Sequence, residues 1–223
     1  MLRLTPLFAL CGLNTSFWMA VFPTAMNFSV QNRDLIYIPA VYSMGLGFGE
    51  VFMALTISTL SKRIQNFGLK PTMTIGCTCV FVYCGLVQAS TATDAPTRPT
   101  SQQPLLFSHS YPLIVLIAFI SGIGDCCINS VRSVICALVM PERRAQSFSV
   151  SKIYQALASC VLFFASPRTP LHVYTIGLPI LSLVATILFF HIANSTHSME
   201  RKLTIQNTSE AEKDNQNPEN INV

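Results

Sequence analysis

Four charged residues stand inside long apolar runs of the 223-residue chain: Glu50, Asp125, Arg132 and Lys152. An ionised side chain is costly in hydrocarbon, so such residues face a bundle interior or a water-filled cavity. Asn129 follows Asp125 by four positions and Arg132 follows it by seven, which puts all three on one helix face. At 1.5 Å rise per residue Arg132 stands about 10 Å along the axis from Asp125. A stripe of carboxylate, amide and guanidinium could bind a solute, relay protons or close a hydrogen-bond network between helices. Glu50 reads either as a protonatable site or as a hydrogen-bonded packing residue. Lys152 either snorkels to the membrane surface or pairs with Glu50 or Asp125 across the bundle.

Other chemistries find no support. The chain has no H-E-x-x-H, no Walker lysine loop and no nucleophile elbow, so no catalytic residue is assigned and an enzyme is not expected. His109, His172, His191 and His197 are scattered over loops and helix ends. Cys11, Cys77, Cys79, Cys84, Cys126, Cys127, Cys136 and Cys160 all lie in apolar runs without a C-x-x-C pair, so they read as packing residues. Neither a metal nor a cofactor is expected. The net charge of +4 forms no basic stripe, which argues against nucleic acid as a partner.

The elements that must carry these residues follow from composition. Charged residues make up 11% of the chain, where a soluble domain carries about 25%. Six apolar runs, near 4–23, 39–60, 72–89, 112–140, 147–166 and 170–193, approach or exceed the roughly 20 residues a membrane-spanning helix needs. Helices are required because lipid offers the backbone no hydrogen-bond partner. The prediction is an all-α, multi-pass bundle of about six spans, with Pro23, Pro39, Pro71, Pro112 and Pro170 at or near their ends. The first run is unbroken for nearly a full span and reads as a helix rather than a cleaved leader. Gly45 and Gly49, four apart, and Gly122 and Gly124 mark helix faces that permit close packing.

Basic residues set the expected orientation. With both termini cytoplasmic, Arg3, Lys62, Arg63, Lys70, Arg143, Arg144, Arg201, Lys202 and Lys213 lie inside. Only Arg33, Arg98 and Arg168 lie outside. The Thr-, Ser- and Pro-rich stretch 90–111 is then an outer loop, and Asn27 heads an outer N-glycosylation sequon. Trp18 is expected to anchor the first span at the outer interface. The polar residues 194–223 form a cytoplasmic tail whose composition predicts disorder.

The chain resembles the ion channel regulatory protein family of the major facilitator superfamily, that of the nematode "uncoordinated" potassium-channel regulator and its facilitator-like relatives. Ser16-Phe17-Trp18 with Val21-Phe22-Pro23-Thr24 resembles the family's seventh span, and Gly47-Phe48-Gly49-Glu50 its G-x-G-E eighth. Gly122-Ile123-Gly124-Asp125 with Asn129 is similar to the tenth, and Phe148, Lys152 and Gln155 to the F-x-x-x-K-x-x-Q element of the eleventh. The order of the motifs agrees over residues 14–160. Val131 replaces a glutamine frequent in the family, and Arg132 stands outside its pattern. The resemblance implies the second of two six-helix halves, each built from two inverted three-helix repeats. Asp125, Asn129, Arg132, Glu50, Lys152 and Gln155 together make the candidate intramembrane polar network, Arg132 by its place on the helix face and not by the resemblance. The partners expected are the lipid bilayer together with a channel, a receptor or a second half-bundle. The function it implies is regulation or escort of partner membrane proteins; a secondary solute transporter, or half of one, with intramembrane carboxylates as coupling groups is the alternative.

Overall fold

The computed structural model describes residues 4–28, 37–63, 68–91 and 110–216. Its helices are α1 (Thr5–Ser16), α2 (Phe22–Phe28), α3 (Ile38–Arg63), α4 (Leu69–Ser90), α5 (Tyr111–Val139), α6 (Arg144–Ala165) and α7 (Leu171–Gln216). A π-helical turn over Phe17–Val21 joins α1 to α2 in one span. Among the described residues six helical segments are long and apolar enough to cross a membrane: Thr5–Met26, Ile38–Arg63, Leu69–Ser90, Tyr111–Val139, Arg144–Arg168 and Leu171–Asn194. No strand occurs among the described residues. The all-α, six-span class expected from composition is therefore the class observed.

Local chemistry explains several of these elements. Proline in the first turn starts α1 and α5, where its missing N–H is one the helix does not need. Pro23 has the opposite effect inside the first span, because it cannot bond to the carbonyl four residues back. Just before it the backbone widens, and the Phe22 N–H bonds to the Phe17 carbonyl, five residues back. Toward the other end of the chain, α7 continues well past its apolar part. Composition predicts disorder from 194, yet the helical backbone runs to Gln216. Between Pro179 and Pro218 the sequence has neither proline nor glycine to stop it, and extending an existing helix is far easier than nucleating one.

The helices pair in a symmetric pattern. The first span packs against α6 and α7, α5 packs against α3 and α4, the first span meets α5, and α4 meets α7. Exchanging the first three spans for the last three leaves this pattern unchanged, which is the signature of two inverted repeats. Backbone approach makes the pairing tight. A Cβ added at Gly49 would strike the Phe119 carbonyl of α5, and one added at Gly122 would strike the Leu46 carbonyl of α3. Gly45 lies against Ala118, its would-be Cβ 3.0 Å from the alanine methyl, and Gly124 faces Cys79 of α4 at 3.1 Å. The other repeat has an equivalent in Gly12, whose Cβ would strike the Gln155 carbonyl of α6. Aromatic residues fill the interior: Phe17 packs on Tyr83 and Tyr174 with centroids 6.1 and 6.3 Å apart. Large apolar side chains also cover the outside, including Phe48, Phe52 and Leu55 on α3 and Ile153, Leu157 and Phe164 on α6.

Gly49→Leu should destabilise the bundle by at least about 1–3 kcal/mol, since the clashing atom belongs to backbone. Gly47 meets nothing within 4 Å, so Gly47→Leu should stay within about 0.5 kcal/mol of the parent. Unfolding of the detergent-solubilised variants by heat or SDS separates the two.

Candidate functional site

Asp125 is held at the meeting point of three spans. It is 8% exposed, and its Oδ1 accepts hydrogen bonds from Asn14 Nδ2 at 2.9 Å and from Trp18 Nε1 at 3.4 Å. Its Oδ2 accepts from Asn129 Nδ2 at 2.8 Å, and the same amide lies 3.1 Å from the Asp125 carbonyl. The Tyr83 hydroxyl of α4 donates in turn to Asn14 Oδ1. Asn14 and Tyr83 are fully enclosed. Each link follows from helix geometry: Asn14 and Trp18 are four apart on one face of the first span, and Asp125 and Asn129 are four apart on α5. A buried carboxylate is tolerable when N–H donors surround it, and hydrogen bonds to a charged acceptor are the stronger kind.

Arg132 belongs to a second cluster. Its Nη1 donates to Gln155 Oε1 on α6, and Lys152 Nζ donates to the same oxygen at 3.2 Å. Both cations lie over the Phe148 ring, Arg132 Cζ at 5.5 Å and Lys152 Nζ at 5.8 Å from its centroid, within cation–π range. Arg132 is buried and Lys152 exposed. One face of α5 thus serves two neighbours in succession, the first span at the level of Asp125 and α6 at the level of Arg132. The stripe read from sequence as one network is two. Lys152 bonds to neither Glu50 nor Asp125.

Glu50 is half-buried on α3. It lines an open groove of about 770 Å³ between α3 and α5, together with Asp125, Asn129, Ser130, Ala54 and Ile57. No side-chain hydrogen bond to Glu50 occurs among the described residues. The groove therefore offers a free carboxylate at its wall and the already bonded Asp125 at its floor. Asn27 lies on α2, but its side chain and Ser29 fall outside the described residues.

Sequence reasoning missed Asn14, Tyr83 and Gly12. An amide in the middle of an apolar span, four positions before a tryptophan, was the available signal for Asn14. Tyr83 gave none, because a tyrosine in a membrane helix is unremarkable until a partner is placed beside it. Trp18, expected at the interface, turns its indole N–H into the bundle.

A family model described as "Ion channel regulatory protein UNC-93" matches residues 1–190. Among curated proteins, the chain is similar to UNC93-like protein MFSD11 of Xenopus laevis, 29% identical over 198 residues. It is also similar to the same-named protein of Xenopus tropicalis, 27% identical over 198 residues. Each alignment covers 86% of this chain and 44% of the relative, so the chain spans less than half the length of the proteins it matches. No solved structure matches it.

Trp18 is the sole tryptophan, which makes its fluorescence a direct probe of the Asp125 cluster. The excited indole N–H is a stronger donor than the ground-state one, so the bond to a carboxylate lowers the emission energy. Asp125→Ala should shift Trp18 emission to the blue and, by leaving Asn14 and Trp18 without their acceptor, cost about 1–3 kcal/mol of stability for each donor left unpaired. Glu50→Gln should leave the spectrum unchanged.

Proposed function

The chain belongs to the UNC-93 family of ion channel regulatory proteins, and we propose that it regulates or escorts partner membrane proteins by in-membrane contact through α3 and α6. The observation that carries this reading is where the loose charges sit. Of the four charged residues inside apolar runs, Glu50 and Lys152 are the two that the bundle does not enclose, and they stand on its two least enclosed spans. Acyl chains make a poor neighbour for either charge. A protein surface bearing complementary groups suits both, and the exposed Phe48, Phe52, Ile153 and Leu157 on other faces of the same two helices offer it apolar contact area.

Asp125 supports the same reading from inside. Its oxygens are occupied by Asn14, Trp18 and Asn129, so its role is to hold the first span on α5. By the excess of basic residues at the ends of α3 and α5, that end of the bundle faces the cytoplasm. Escort, rather than catalysis, is what such a surface does: it stabilises one state of a partner by contacts that the other states lack.

The second reading, a facilitator half with a solute path, is favoured by the Glu50 groove alone. A free carboxylate beside a cavity could couple solute movement to a proton or cation.

Co-expression with an ion channel subunit tests the two. Under the first reading, the chain changes whole-cell current, and a Phe48→Ala/Phe52→Ala variant that still reaches the membrane loses at least about half of that effect, as hot-spot aromatics do at interfaces. Under the second, the chain produces solute flux of its own, and Glu50→Gln abolishes it. Full channel modulation by the double alanine variant counts against docking through α3.

A further inference from the structure

Arg132 and Lys152 converge without a direct ion-pair partner among the described residues; Asp125, on the same helix as Arg132, stands about 10 Å away along the axis. They approach from different helices, yet share one neutral acceptor, Gln155 Oε1, and one aromatic ring, Phe148. Like charges held this close repel, and a single amide oxygen cannot neutralise either. Arg132 is 4% exposed, and its Nε–H is buried with no hydrogen-bond partner. A guanidinium carries five N–H donors, and a buried donor left unmade is destabilising. Beyond the Phe148 ring lies a cleft of about 460 Å³ between α5 and α6, lined by Ser133, Cys136, Arg144 and Ser149. Arg144 adds a third positive charge at this end.

An unpaired edge of guanidinium beside an ammonium is a donor set for an oxyanion, which accepts several such bonds at once. The position of the pair narrows the source. Lys152 is eight residues into α6, about 12 Å from its start. Its side chain tilts back toward that end and is exposed on the outside of the bundle. The anions met by a side chain reaching from a membrane helix toward the bilayer surface are phospholipid headgroups, and basic pockets between spans bind them.

We propose that Arg132 and Lys152 form a binding site for a phosphate oxyanion, supplied by the headgroup of an anionic phospholipid that lies along α6. The site is distinct from the Asp125 cluster and from the Glu50 groove. The bound phosphate supplies the anionic partner that Gln155 cannot. Occupancy would then brace α5 against α6 at the basic end of the bundle.

The full chain, purified in neutral detergent, is offered equal amounts of phosphatidic acid and phosphatidylcholine, and retained lipid is counted by native mass spectrometry. The parent is expected to prefer phosphatidic acid by about tenfold, corresponding to one strong charge-assisted contact. Lys152→Gln, at an exposed position that leaves the fold intact, should lose most of that preference, and Arg132→Gln all of it. Lys62→Gln, at the same end but outside the cluster, should keep it. A second arm adds inorganic phosphate to lipid-free protein. If phosphate raises the Tm of the parent but not of Lys152→Gln, while phosphatidic acid is not preferred, the same site takes free phosphate. Equal preference in the parent and Lys152→Gln overturns the site. So does a parent that responds to neither probe; a carboxylate from a partner's helix would then be the counter-charge.

Discussion

A carboxylate in the middle of a membrane bundle demands donors, and meeting that demand at Asp125 organises the structure around it. Three N–H groups converge on its two oxygens, two from the first span and one from its own helix. Tyr83 completes the chain through Asn14 and brings in α4. Lipid supplies no driving force for apolar side chains to prefer one another over acyl chains. Directional bonds of this kind, rather than burial of hydrophobic area, therefore select which spans meet and at what rotation.

Once that register is set, the glycines determine how near the helices can come. Gly49 of α3 faces the Phe119 carbonyl of α5 and Gly122 of α5 the Leu46 carbonyl of α3, and Gly12 faces the Gln155 carbonyl in the same way between the first span and α6. Close backbone approach gives dispersion contacts over a long seam, the main attraction left in an apolar solvent. The two contacts occupy equivalent places in the two repeats, so one packing solution serves the bundle twice. The π-turn ahead of Pro23 contains Trp18, whose indole N–H reaches Asp125.

The charges left over identify the surfaces that are not simply lipid-facing. Glu50 borders an open groove, and Lys152 sits on an exposed helix next to a buried arginine. A bundle that spends polar bonds so carefully at Asp125 leaves these groups for something outside itself. Membership of an ion channel regulatory family is consistent with that outward-facing chemistry, and the relatives' greater length leaves room for further contacts beyond this chain.

The membrane class, the number of spans and the family were legible in the residues alone. Apolar length and scarcity of charge are one-dimensional properties, and a bilayer converts them directly into helices because an unpaired backbone cannot cross it. The motif order around Glu50, Asp125 and Lys152 was likewise a matter of spacing. What spacing could not settle was the partner of each polar group. Asp125, Asn129 and Arg132 share a helix face in any straight helix, yet α5 meets the first span at one level and α6 at another, so the stripe divides. Only the tertiary arrangement decides that Asp125 is satisfied by Asn14 and Trp18, and that Arg132 is left facing Lys152, because each depends on the neighbour that packing brings to its depth in the membrane.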